Sequence, residues 1–327
     1  FGYGNFGDEL FVSVYKEHLS DAFDLRFMAD QRTKPYYSRP VEEVVAEVDA
    51  IVIGGGDIVQ PWNIDARYFP QAFLKKPVYV VGVGVPLRSD PSQAEKGWIV
   101  EKYRDFMQHP AVRMIHARDL QSADWIRRKA APAIEVIEAP DLVCALTLPA
   151  IARPEQPVLG IVTRKRPNHQ DDYSQLNALA DQQRARGWLI RHIVLGSGQV
   201  GERDVLDATG IKGQKELIYS QSLTELSGAI GGCTALVSMK FHGSVVATMY
   251  GVPSTVLIPT NKNRNFMNRI DRGDLLSRFD DQTLCARFDP APAPIAPESV
   301  TMLRQRAGDL LARLKADLIA QIGSGAA

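Results

Sequence analysis

His242 is the residue of this chain whose type and setting point most directly to chemistry. It stands in the segment VSMKFHGSVVATMYGVPS, after an apolar run that reads as a buried strand and before Gly243, Ser244 and Ala247, small residues that would let a helix approach a ligand closely. Imidazole titrates near neutral pH, so a histidine here could deliver a proton. Lys240 lies two residues earlier. A cation beside a proton donor at one strand end is an arrangement suited to an anion. Basic residues recur at the other strand exits, as Arg88, Arg118, Arg164, Lys165, Arg166, Lys262 and Arg264. Each taken singly is as well explained by a solvated surface charge. Gathered at facing strand ends, they would concentrate positive charge for a small, strongly anionic ligand.

The remaining histidines, His18, His109, His116, His169 and His192, show no HExxH or other metal-ligand spacing, so no metal is expected. Cys144, Cys233 and Cys285 are odd in number and far apart, which excludes a disulfide framework and a CxxC site. A Walker-type GxxxxGK[ST] and a G-x-S-x-G elbow are both absent from the sequence.

Two glycine-rich segments invite a phosphate or a sugar. Gly2, Gly4 and Gly7 fit GxGxxG, with Asp24 or Asp30 near the distance of a ribose-binding carboxylate, yet Asp8 and Glu9 follow at once and place negative charge where a pyrophosphate would sit. A tight turn opening a helix at Asp8 explains the same residues. Such turns normally follow a buried strand, so a first strand is expected upstream of Phe1. Gly54, Gly55, Gly56 and Asp57 follow the apolar run IVI, where glycines allow either a tight turn or close approach of a ligand to the backbone.

The elements that must position these residues follow from hydropathy. Short Val- and Ile-rich runs alternate with helical patterns, which predicts parallel sheets covered by helices. Strands are expected at 25–28, 50–53, 78–83, 112–116 and 134–137, and again at 158–163, 189–195, 235–239 and 254–258. Pro149, Pro154 and Pro157 mark 148–158 as a linker, giving Rossmann-like domains over 1–152 and 153–327. Leu303, Ala307, Leu310, Leu311, Leu314 and Leu318 form an apolar stripe along a closing helix from about Pro297 to Ile322.

Composition sets the outer bounds. The 327 residues hold 38 Lys+Arg against 38 Asp+Glu, with 45% hydrophobic and 23% charged residues, which excludes general disorder and the charge footprint of a nucleic-acid binder. No run is apolar and long enough to span a bilayer, and no signal segment opens the chain, so a cytoplasmic protein is expected.

GYGNFGDEL at the start, GGGDIVQ at 54–60, ARDLQS at 117–122, APDLV at 139–143 and SMKFHGSVVATMYGVPS at 238–254, followed by Lys262, together resemble the polysaccharide pyruvyl transferases. The resemblance covers nearly the whole chain. It implies two facing Rossmann-like domains like those of GT-B glycosyltransferases, with a ligand cleft between them. It also implies transfer of pyruvate from phosphoenolpyruvate onto two hydroxyls of one sugar in a cell-wall or exopolysaccharide precursor, forming a cyclic ketal and releasing phosphate without a metal or redox cofactor. His242, Arg118 and Lys262 match the family's histidine, arginine and lysine, with Lys240 and Arg164 as further donor-binding cations. Asn5, Gly54, Gly55, Gly56 and Asp57 would face the acceptor, and Asp8 would orient or deprotonate a hydroxyl. Lys240 stands where arginine is more usual, and Asp57 where a small hydroxyl residue is common. The implied partners are phosphoenolpyruvate and a saccharide, lipid-linked or nucleotide-linked, with at most peripheral contact at the inner face of the cytoplasmic membrane. The competing readings are a nucleotide-sugar glycosyltransferase of the same fold, a non-catalytic glycan-binding relative, and, on the glycine turn alone, a dinucleotide oxidoreductase.

Overall fold

A computed structural model describes residues 1–2, 4–28, 40–65, 67–87, 91–152, 154–166 and 169–324. Arg88 and Asp30, singled out above, lie outside the described residues. In chain order the elements are α1 (Phe6–Leu19), α2 (Val41–Ala46), β1 (Ile51–Gly56), β2 (Val78–Val83), α3 (Gly97–Met107), β3 (Val112–Ala117), α4 (Leu120–Trp125) and β4 (Val136–Glu138). After these come β5 (Val158–Val162), α5 (Ser174–Ala185), β6 (Leu189–Ile193), α6 (Gly198–Asp207), β7 (Glu216–Ile218), α7 (Leu223–Gly231), β8 (Ala235–Ser238), α8 (Phe241–Met249), β9 (Ser254–Val256), α9 (Asn261–Arg269) and α10 (Pro297–Ser324). The chain divides into two units, Phe1–Leu10 with Val143–Arg304, and Phe11–Leu142 with Gln305–Ala327.

The unit built on 11–142 holds a parallel sheet of order β1-β2-β3-β4. Every residue of β2 is buried, so both faces of the sheet are covered, and the uninterrupted Val-Tyr-Val-Val run is what such a strand requires. Phe69 meets Tyr103 and Phe106 edge to face at 5.3 Å in its core. The unit built on 143–304 holds a parallel sheet of order β7-β6-β5-β8-β9. That is the doubly wound pattern, in which the strand order reverses between β5 and β8, and open sheets of this kind take ligands at the carboxyl ends beside the reversal. β5 and β8 are both fully buried and pair from Leu159–Ala235 to Val162–Ser238.

Eight of the nine expected strands form. Residues 25–28 belong to no strand: none of the four is buried, and Arg26 among them is exposed, as is Asp24 before them. β7 was not anticipated from the sequence: it is an edge strand of three residues, none of them buried, and it shows no apolar alternation. The closing helix runs from Pro297 to Ser324, and all six residues of its expected stripe are buried. No helix among the described residues is long and apolar enough to cross a membrane.

Candidate active site

The strand exits of the second sheet assemble one cluster. At the end of β8, Ser238 holds the turn by accepting the Lys240 N–H at 3.1 Å and donating its hydroxyl to the Lys240 carbonyl at 2.8 Å. Lys240 is the N-cap of α8, which places His242 in the first turn of that helix. The Phe241 ring lies 5.0 Å from the His242 ring, centroid to centroid, and the Lys262 ammonium stands 5.5 Å from the Phe241 centroid. Lys262 owes its place to a capping box, in which Thr260 and Asn263 satisfy the first turn of α9. Arg164, at the exit of β5, is exposed. His242, Lys262 and Arg164 therefore belong to the carboxyl edge of one sheet, with β5 and β8 forming the reversal point.

Lys240 is built differently from the ligand cation expected. Its ammonium donates to the Leu195 carbonyl at 2.6 Å and pairs with Asp204, whose side chain is 1% exposed. Burial pulls the Lys240 pKa below the usual lysine range, against the opposing attraction of Asp204 and with added repulsion from Arg164. Asp204 also accepts the Lys165 N–H at 3.1 Å. One buried ion pair thus ties together the exits of β5, β6 and β8. The small residues after His242 also have packing uses. A Cβ on Gly243 would meet Ser238 Oγ at 2.6 Å and Leu195 at 2.8 Å, and Ser244 accepts a hydrogen bond from Ser254 at 2.9 Å. Their smallness brings α8 onto the sheet.

The opening glycine motif docks on the same edge. Gly4 accepts the Ser197 N–H at 2.8 Å, and Asn5 forms an antiparallel bridge with Gly196 just past β6. Gly4 has φ +83°, and a Cβ there would collide with the Ser197 backbone. A Cβ on Gly7 would fall inside the His242 imidazole. Glu9 accepts the N–H groups of Gly2 at 2.6 Å and Gly4 at 3.1 Å, so the donors that a pyrophosphate would use in the dinucleotide reading already hold a carboxylate. The helix begins at Phe6, two residues before the expected Asp8, and Asp8 and Glu9 both fall in its first turn.

In the other unit the exits of β1, β3 and β4 converge on Arg118. Its guanidinium pairs with Asp57 and with Asp141, the latter at 3.4 Å, and its side chain is only 2% exposed against 24% for Asp57. Burial works against the charge of Arg118, but Asp57, Asp141 and Asp119 together raise its pKa. Gly84 makes room, since a Cβ there would meet Asp57 at 2.7 Å and Arg118 Nε at 2.8 Å. Asp119 caps α4 by accepting the Ser122 N–H at 2.8 Å, and Ser122 in turn accepts the Val85 N–H at 2.8 Å. The ARDLQS and APDLV motifs are thereby explained as one framework. Gly54 and Gly55 pack against Tyr15 and Phe11 of α1. Burial, with the Asp141 charge second, pushes the Tyr15 phenol well above its ordinary range.

Two histidines are structural. His116 accepts the Gly82 N–H on Nδ1 at 2.9 Å and reaches the Ala139 carbonyl through Nε2 at 3.2 Å. His192 Nε2 lies 3.0 Å from the Thr163 hydroxyl, and burial, with a smaller contribution from Lys215, pulls its pKa down to about 3. Sequence reasoning noted Glu9 only for its negative charge and missed both what it holds and Asp204, because a lone carboxylate among many carries no signal of what it will hold. Among the described residues, no group of three or more His, Cys, Asp or Glu is placed to hold a metal ion.

The two parallel sheets with helical connections define a GT-B-like α/β protein. The fold is similar to that of the UDP-GlcNAc 2-epimerase from Neisseria meningitidis bound to UDP-GlcNAc, at 13% identity and TM-score 0.55 over 85% of this chain and 79% of that one. It is likewise similar to the S. aureus MnaA–UDP co-structure, at 11% identity and TM-score 0.56 over 95% and 86% of the two chains. No curated protein matches the sequence. Residues 5–261 match the family model described as "Polysaccharide pyruvyl transferase", and the chain belongs to that family.

Proposed function

We propose that this protein transfers pyruvate from phosphoenolpyruvate to two hydroxyls of one saccharide unit, forming a cyclic ketal and releasing inorganic phosphate. What supports the reading is that His242, Lys262 and Arg164 follow β8, β9 and β5 on the carboxyl edge of one doubly wound sheet, in a chain of this family. Phosphoenolpyruvate brings a carboxylate and a phosphate on an enol carbon, so its site needs cations and one acid. His242 protonates the terminal methylene, which becomes a methyl group and leaves the central carbon electrophilic. One hydroxyl oxygen adds there and gives up its proton. The bond from the central carbon to the phosphate oxygen then breaks, and the second hydroxyl closes the ketal. Of the two hydroxyl protons, one reloads His242 and the other leaves with phosphate or water. Lys262 and Arg164 hold the donor's anionic groups and stabilise the departing charge. Asp8, in the first turn of α1 just after Gly7, orients or deprotonates a hydroxyl.

In the other unit, Arg118 contributes an anion contact only by giving up part of its bond to Asp57. Lys240 acts through the framework it shares with Asp204. Asn5, Gly54, Gly55, Gly56 and Asp57 are proposed to face the acceptor, whether lipid-linked or nucleotide-linked, and the protein is proposed to act in the cytoplasm with at most peripheral contact at the inner face of the cytoplasmic membrane. No redox cofactor or metal is required by this chemistry. A second reading, a nucleotide-sugar glycosyltransferase, draws on the fold shared with proteins solved with UDP or UDP-GlcNAc.

The test is phosphate release in the presence of phosphoenolpyruvate and a panel of saccharide acceptors, with melting temperature followed under each ligand. A ligand at about 100 times its Kd adds about 2.7 kcal/mol, a shift of several degrees for domains of this size. Stabilisation by phosphoenolpyruvate and acceptor-dependent phosphate release are expected. Release of UDP from a UDP-sugar, with no response to phosphoenolpyruvate, would replace this reading with the glycosyltransferase.

A further inference from the structure

We infer that Glu9 is a positioning residue for His242, acting through the glycine turn that separates them, an inference that rests on the proton-donor reading of His242. Glu9 closes the turn from both sides. Its carboxylate accepts the N–H groups of Gly2 and Gly4, and its own N–H donates to the Asn5 carbonyl at 3.0 Å. The turn so closed is fastened to the exit of β6 by the Ser197–Gly4 hydrogen bond and the Asn5–Gly196 bridge. Its far end presents the bare Cα of Gly7 to the His242 ring, with Nδ1 the nearest ring atom. The imidazole is therefore bounded by backbone on the Gly7 side and by the Phe241 ring, whose plane is inclined at 67° to it. Backbone cannot swing aside as a side chain can, so the orientation of the imidazole depends on the turn, and the turn depends on Glu9.

The chemistry of the clamp decides which replacements are tolerated. Two N–H donors converge on one oxygen, Oε1, and an ionised acceptor makes both bonds stronger. Glutamine keeps an acceptor oxygen with two lone pairs at the same reach. Aspartate keeps the charge but is one methylene short. Alanine keeps neither. Glu9→Gln should therefore preserve the site, while Glu9→Asp and Glu9→Ala release it.

The experiment uses the full chain and two readouts. The first is the imidazole NMR signals of His242, assigned by their loss in His242→Ala, and the second is the kcat and KM of pyruvyl transfer. Glu9→Ala is expected to move the His242 signals while leaving those of His116 and His192 in place. It should lower kcat about 10- to 100-fold, the usual cost of a misplaced catalytic group, with the phosphoenolpyruvate KM within about twofold. Glu9→Gln should restore most of kcat, and Glu9→Ala should cost nothing further in a His242→Ala background. Unmoved His242 signals in Glu9→Ala, or equal damage from Gln and Ala at position 9, overturns the inference. Should Glu9→Ala not fold, Glu9→Asp must give the same His242 displacement. A wild-type protein without pyruvyl transfer would defeat the proposed function, yet the imidazole signals would still decide whether Glu9 positions His242.

Discussion

His242 and Lys240 lie two residues apart, and the structure separates what they do. The imidazole borders the glycine turn, whereas the ammonium is spent on Asp204 and the Leu195 carbonyl. His242→Ala should therefore lower turnover by about 10²–10⁴, the range for a lost general acid, with the melting temperature nearly unchanged. Wild-type-like turnover in that variant would remove the proton-donor role. Lys240→Met should act on stability instead. It takes the ammonium from the Asp204 carboxylate, which is 1% exposed and keeps the Lys165 N–H and the Arg203 guanidinium at 3.6 Å; removing one partner of a buried pair costs about 3 kcal/mol. Denaturant unfolding measures this, and a loss below about 0.5 kcal/mol would show that Asp204 finds another partner. From the sequence, both Lys240 and Lys262 were cations at strand exits. That Lys240 is tied to Asp204 and the Leu195 carbonyl depends on the neighbouring element rather than on the residue.

At the scale of the element, the motifs read from the sequence prove to be joints between elements. ARDLQS supplies an ion pair, an N-cap and a hydroxyl bridge in five consecutive positions from Arg118 to Ser122. Asp119→Ala removes both the cap of α4 and the partner of the Ser122 hydroxyl, and should cost about 1–2 kcal/mol. Equilibrium unfolding tests this, with Asp119→Asn expected to recover most of the loss because asparagine caps nearly as well. The strands β2, β5 and β8 were recognisable because parallel strands buried on both faces must be continuously apolar. β7 was not, since an edge strand with little buried surface carries no pattern. The glycines of the opening motif were readable as a turn but not as contacts, because the atoms that exclude a Cβ at Gly4 and Gly7 belong to residues about 190 and 235 positions away.

For the whole molecule, acid stability is set in part by His192. It is neutral and buried in the folded protein with a pKa near 3, and near 6.5 when unfolded. Its folded pKa is depressed, so below about pH 6.5 only the unfolded chain takes up the proton. Stability then falls with decreasing pH, by about 1.4 kcal/mol per unit from this group, until about pH 3. Denaturant titrations between pH 7 and 5 should show a shallower dependence for His192→Gln; an identical slope would mean that His192 is solvated in the native state. Which unit the terminal helices belong to is something no local pattern reveals. α1 begins among the residues of one unit and ends among those of the other, and α10 does the same. By itself the sequence determined the alternating parallel architecture, the edge on which the polar residues gather and the family, because hydrophobic period and short motifs are local properties of the chain. Tertiary structure alone decided which cations are spent in buried pairs, which unit each terminal segment joins, and that the opening glycines seat a turn against His242, because burial and close approach depend on residues far apart in sequence.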